Sequence, residues 1–213
     1  MKQMAKVFGL GVLGALSLAG CGGLVGGAIP PVTVDNIAGL NGLEIEGDDL
    51  LDEAAVGAAV RLSKTFNNID AAQFQNALNI KPNTISLALT FRRVTRRGTC
   101  TAPASLALEV RNLRVRLSET GSEANATFGT FTLNLTQAQD GSYNVAGVTG
   151  GNADGSVNIA IDNGLLAFGI VTAGAEPNTA TASGRLRTAD NSLRGCRLGL
   201  VIDSARATFS NFR

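Results

Sequence analysis

The chain predicts a mainly β fold, an antiparallel β-sandwich or partly closed barrel of eight or nine strands with one short helix. Three observations carry this prediction. From Thr84 onward, apolar residues recur with a period of two, the spacing that puts every second side chain of a strand on one face. Turn formers punctuate these segments at Asp140-Gly141, Asn152-Ala153-Asp154-Gly155, Asp162-Asn163-Gly164, Glu176-Pro177-Asn178 and Ala189-Asp190-Asn191. Strands joined by such short turns run antiparallel, because a parallel crossover needs about a dozen residues. Threonine, asparagine, small aliphatics and 26 glycines set the composition, which suits strands and tight turns better than helices.

Taken in order, the chain opens on a positive stretch with Lys2 and Lys6, followed by an apolar run from Val7 to Leu18. The run has signal-peptide length and is too short to span a bilayer. A buried helix is disfavoured, since Gly9, Gly11 and Gly14 would each cost about 1 kcal/mol in a helix interior. The run closes on Leu18-Ala19-Gly20-Cys21, which resembles the lipobox of bacterial lipoprotein precursors. The resemblance implies a signal peptide over 1–20 that is removed, a diacylglycerol on the Cys21 sulfur and an acyl chain such as palmitate on the new amine. It further implies a lipoprotein held to a membrane of the cell envelope. Lipoproteins retained at the inner membrane of double-membraned bacteria tend to carry aspartate at the next position; Gly22 stands there instead, which in such a source implies the outer membrane. Read without the resemblance, the stretch is also compatible with an ordinary secretory signal and a chance cysteine.

Residues 21–53 read as a tether and residues 54–213 as a single β domain. Gly22 to Pro31 is rich in glycine and proline. Seven acidic residues follow between Asp35 and Glu53, and no basic residue occurs between Val7 and Arg61. A calcium loop is one reading of this segment, but Asp48-Asp49-Leu50-Leu51-Asp52 lacks the alternating ligands and central glycine of such loops. The other is a solvated stretch that keeps away from anionic headgroups.

Within the domain, Val56, Ala58, Val60, Leu62 and Phe66 alternate as in a strand, while Leu50, Leu51, Ala54, Ala55, Ala58 and Leu62 fit a helical stripe; the strand is favoured. Asp70 reads as the N-cap of a short helix through Leu78. Ile85 to Phe91 and Leu106 to Leu117 read as strands, the second changing phase at Arg111-Asn112, which predicts a bulge or a bend. Further strands are expected at Thr127–Leu135, Tyr143–Val148, Val157–Ile161, Leu165–Val171, Thr179–Arg187 and Leu198–Phe209, with Asp162-Asn163-Gly164 the strongest hairpin signal. Ser86–Arg92 and Ser105–Arg111 are alike and read as neighbouring strands of similar burial. Phe128, Phe131, Phe168, Phe209 and Phe212 fall at strand positions that suit core packing.

Of the three cysteines, the lipobox resemblance accounts for Cys21 and leaves Cys100 and Cys196 as an even pair. An exported chain folds under oxidising conditions, so a disulfide between them is expected. Closing so long a loop stabilises a fold by up to about 4–5 kcal/mol in the chain-entropy model.

Lysine and arginine together number 18 against 17 acidic residues, a balance that argues against nucleic acid as a partner. Arginine is strongly preferred over lysine, and Arg92, Arg93, Arg96, Arg97, Arg114 and Arg116 form a candidate anion-binding set for acidic lipids, glycans or an acidic envelope protein. Arg114 and Arg116 alternate with Val115 and Leu117 and so share the solvent face. A solvated row that discourages edge aggregation is the plainer reading. There is no histidine, so Ser-His-Asp and Cys-His catalysis are excluded and zinc loses its commonest nitrogen ligand. No metal or other cofactor is expected. The expected function is that of a non-enzymatic, lipid-anchored scaffold or binding module. The alternatives are a carrier of an apolar ligand such as an acyl chain and a histidine-independent hydrolase using paired carboxylates.

Overall fold

The computed structural model describes residues 29–50, 57–74, 80–173 and 177–213. Cys21, the lipobox and the glycine-rich start of the tether lie outside them. The described strands are β1 (Val32–Asp35), β2 (Glu44–Gly47), β3 (Ala58–Phe66), β4 (Pro82–Arg97), β5 (Ser105–Glu119), β6 (Ser122–Thr127), β7 (Phe131–Gln137), β8 (Tyr143–Thr149), β9 (Ser156–Ala160), β10 (Asn178–Arg187) and β11 (Arg197–Phe212), with helix α1 (Gly164–Ala173) between β9 and β10. All belong to one antiparallel sheet.

Its pairings return on themselves. They run β11–β2–β3–β10–β5–β7–β8–β4, and β4 pairs β11 again. The long strands β4, β5 and β11 then exchange neighbours along their length. Toward its C-terminus β11 pairs β1, with Val32 opposite Phe209. The first half of β4 pairs β9, with Leu87 opposite Ile159, and the last part of β5 pairs β6, with Leu117 opposite Ala124. The result is a partly closed barrel at one end that opens at the other into two layers, β1-β11-β4-β9 and β3-β10-β5-β6.

The strand pattern follows the residues that predict it. Along β5, Leu108, Val110, Leu113, Val115 and Leu117 are buried, and the phase shift falls at Asn112, whose φ is 49°. There Ser183 of β10 opposes Arg114 while Arg185 opposes Arg111, so β5 holds one residue more than its partner. This is the predicted bulge. β6 and β7 follow one edge of β5 on either side of it, joined by a Phe128 N–H donated to the Leu113 carbonyl at 2.8 Å. The expected single strand Thr127–Leu135 is therefore broken in two.

Other differences have equally local causes. Leu165–Val171 is not a strand but most of helix α1, and Asp162-Asn163-Gly164 starts that helix rather than turning a hairpin. Asn163, at φ 54°, accepts the Leu166 N–H on its Oδ1 at 3.2 Å, and a Cβ at Gly164 would lie 2.5 Å from the Asn83 carbonyl oxygen. The helix buries Ala167, Phe168, Ile170 and Val171 against the ends of the strands. Residues 32–50, assigned by the sequence to the tether, carry β1 and β2 and bury Ile37, Leu40, Ile45 and Leu50, while Glu44 and Glu46 point outward on either side of Ile45. These two strands and the split at Thr127 raise the number of described strands to eleven. Ser86–Arg92 and Ser105–Arg111 share their alternation of burial, but they sit in β4 and β5, which do not pair.

The strand reading of the ambiguous stretch holds from Ala58 to Phe66; residues 51–56 lie outside the described part. The Asp70 cap is present, its Oδ1 accepting the Ala72 N–H at 2.8 Å, and Ala71–Phe74 forms a 3₁₀ turn; residues 75–79 are not described. Phe74 packs edge-on against Phe168 and Phe209, with centroids 5.1 and 4.6 Å away. Phe128, Phe131, Phe168, Phe209 and Phe212 are all buried. The apolar cavity between β4, β5 and β11, lined by Ile85, Leu87, Val115, Leu117 and Phe209, has a volume of about 10 Å³. That is room for about one water. Cys100 and Cys196 form a disulfide with their Cα atoms 5.7 Å apart, pinning the β4–β5 connection to the start of β11.

Candidate functional site

The six candidate arginines fall into two groups at opposite ends of the sheet. Arg92, Arg93, Arg96 and Arg97 stand near the end of β4, where it belongs to the barrel. Each is already engaged. Arg92 Nε lies 2.9 Å from Asp203, Arg93 pairs with Asp140, and Arg97 grips Glu44 with two N–H groups at 2.8 Å each. Arg96 donates to the carbonyls of Gly141 at 3.0 Å and Cys100 at 3.1 Å, and its Nη1 lies 3.8 and 4.0 Å from the disulfide sulfurs. Asp140 is a persistent anion for Arg93: the Ser142 hydroxyl and N–H, both donating to it, hold its carboxyl below the usual range.

Arg114 and Arg116 occupy the outer face of β5 where it pairs with β6 and β10. Here the register builds two polar rows across four strands: Thr127–Arg114–Ser183–Arg61 and Asn125–Arg116–Thr181–Ser63. Between them Val115, Ala126 and Ala182 point into the core. Arg114 Nε donates to the amide oxygen of Asn125 at 3.0 Å, a neutral partner that leaves its charge uncompensated. Arg116 Nη1 lies 3.1 Å from Glu123. Arg114, Arg116, Thr181 and Ser183 line a depression of about 210 Å³. Further along, Arg185 stands opposite Arg111, which is ion-paired with Glu109.

The alternation in β5 showed that Arg114 and Arg116 share a face. Thr181, Ser183 and Arg61 were missed. They join it through cross-strand register, which leaves no local mark in the sequence.

A second concavity, of about 520 Å³, opens where β8 leaves β4 after Asn144 and the chain returns to β4 at Ser156. Phe91, Arg92, Val148, Asn152 and Asp154 line it. Arg92 is ion-paired with Asp203, and Asp154 accepts a hydrogen bond from the Ser156 hydroxyl at 2.6 Å. Among the described residues, no group of three or more histidine, cysteine or acidic side chains is placed to hold a metal. No described helix is long and apolar enough to cross a membrane. No protein-family model matches the chain, and no curated protein matches it.

Proposed function

We propose that this chain is a lipid-anchored protein of the cell envelope that works by contact, as a non-enzymatic scaffold or binding module tethered through Cys21. The observation that carries the reading is Leu18-Ala19-Gly20-Cys21 at the end of a signal-length apolar run. The Cys100–Cys196 disulfide agrees with folding in an oxidising compartment. Ten residues, 22–31, separate Cys21 from Val32, the start of β1. The domain is thereby held within about 40 Å of the anchored residue.

Among the described residues, the cavity between the two layers favours contact over carriage. A site that encloses a ligand of drug or lipid size typically measures about 300–1,000 Å³, against about 10 Å³ between the two layers. The outer arginine rows make an acidic lipid, glycan or envelope protein the class of partner. In a double-membraned source the location is the outer membrane. Growing cells with an alkyne analogue of palmitate tests the anchor: the wild-type chain takes up the label and Cys21→Ser does not. Equal label on both, or none on the wild type, removes the reading.

A further inference from the structure

We propose that the depression on the outer face of β5 and β10 is a binding site for a phosphate monoester, built from Arg114, Arg116, Thr181 and Ser183. It deepens the binding-module reading and rests on it for the source of the ligand, but the site itself does not require the anchor.

Four features converge. The Asn125 bond uses only Nε of Arg114, so both Nη groups remain available, and no described carboxylate lies within ion-pair distance of this guanidinium. Arg116 contributes its N–H groups other than the one on Glu123. The hydroxyls of Thr181 and Ser183, directly opposite these two arginines in register, have no hydrogen-bond partner among the described residues. The space they surround, about 210 Å³, accepts a phosphate group and the first atoms of its ester. Two guanidiniums, of which only Arg116 is shared with a carboxylate, and two hydroxyls leave a net positive, donor-rich setting for an anion with three peripheral oxygens. A planar carboxylate would leave part of this donor set unused. The β4 arginines differ, because Arg92, Arg93 and Arg97 each face a carboxylate, on Asp203, Asp140 and Glu44, and Arg96 donates to main-chain carbonyls.

The test uses the lipidated protein in neutral detergent micelles, titrated with inorganic phosphate and read by the NMR shifts of arginine Nε–H groups. Saturable shifts are expected at Arg114 and Arg116. Arg114→Gln and Arg116→Gln each weaken binding at least tenfold, about 1.4 kcal/mol, whereas Arg92→Gln keeps the wild-type affinity. Unchanged melting temperatures show that the variants are folded. Two further arms distinguish sources: displacement of phosphate by glucose 1-phosphate supports a glycan phosphate, and displacement by micelles doped with phosphatidic acid supports a lipid headgroup. Shifts that never saturate, equal loss from Arg92→Gln and Arg114→Gln, or phosphate binding that neither ester displaces would each overturn the proposal. Palmitate labelling of Cys21 is independent of all these readouts, so failure of the anchor and failure of the site are distinguishable.

Discussion

Three turns of this chain use one device. Asp140, Asp154 and Asp190 each accept, on a single carboxylate oxygen, both the N–H and the hydroxyl of the serine two residues later: Ser142, Ser156 and Ser192. These bonds favour the ionised carboxylate and hold all three acids below their ordinary pKa; Asp49 is lowered in the same direction by its hydrogen bond from Arg197. A carboxyl whose folded pKa lies below its unfolded value contributes stability above the unfolded value, about 4, and loses it as pH falls through the folded one. Burial pushes the Tyr143 phenol the other way, so its contribution is complete below about pH 10 and is lost as pH rises through the raised value. Urea unfolding across pH should therefore give a plateau from about pH 5 to about pH 9, with stability falling on both sides. Stability that rises below about pH 4 would contradict the assignment. Gly47 sets a second constraint at this scale: a Cβ there would lie 2.1 Å from the main-chain oxygen of Leu198, which no rotamer change can relieve. Gly47→Ala is expected to cost about 2–3 kcal/mol in chemical unfolding, and a neutral result would show that β2 and β11 approach less closely.

At the scale of elements, what the sequence revealed depended on how local the determinant was. The bulge at Asn112 was legible because a change of phase from Val110 to Leu113 is written along one strand. Helix α1 was not. Leu165 to Val171 is apolar all round, and a short apolar run between turn formers has no periodicity to separate a buried helix from a strand. The deciding contacts, Gly164 against Asn83 and the packing of Phe168 on Phe74, are tertiary. β1 and β2 were hidden by their acidic residues: Asp35 and Glu46 are exposed, Glu44 is half-buried on Arg97 and Thr95, and only Ile45 between the two glutamates turns inward. The arginine face was half visible for the same reason, since β5 displays its alternation but not which strand lies beside it. Asn163 gives the helix assignment a direct check. As the cap at positive φ, it should lose about 1 kcal/mol in Asn163→Ala and only a few tenths in Asn163→Gly. Thermal unfolding that ranks the two variants the other way would speak against this start to α1.

For the molecule as a whole, closure of the sheet rests on β4 pairing β11, strands separated by about a hundred residues of chain that must be brought together before either is useful. The disulfide crosses the same two ends, with a sequence separation of 96. Replacing both Cys100 and Cys196 by alanine should lower stability by up to about 4–5 kcal/mol without altering the strand content seen by circular dichroism; an unchanged unfolding midpoint would mean that the barrel end holds its closure unaided. The same bond joins the fold to the proposed location, because a membrane-tethered envelope protein folds where thiols are oxidised. Mass spectrometry of the N-terminal peptide from the membrane-extracted protein tests that location most directly. The account predicts a chain that begins at Cys21 and carries the mass of a diacylglyceryl thioether and an amide-linked acyl group. A chain that retains residues 1–20, or begins elsewhere with an unmodified cysteine, would contradict it.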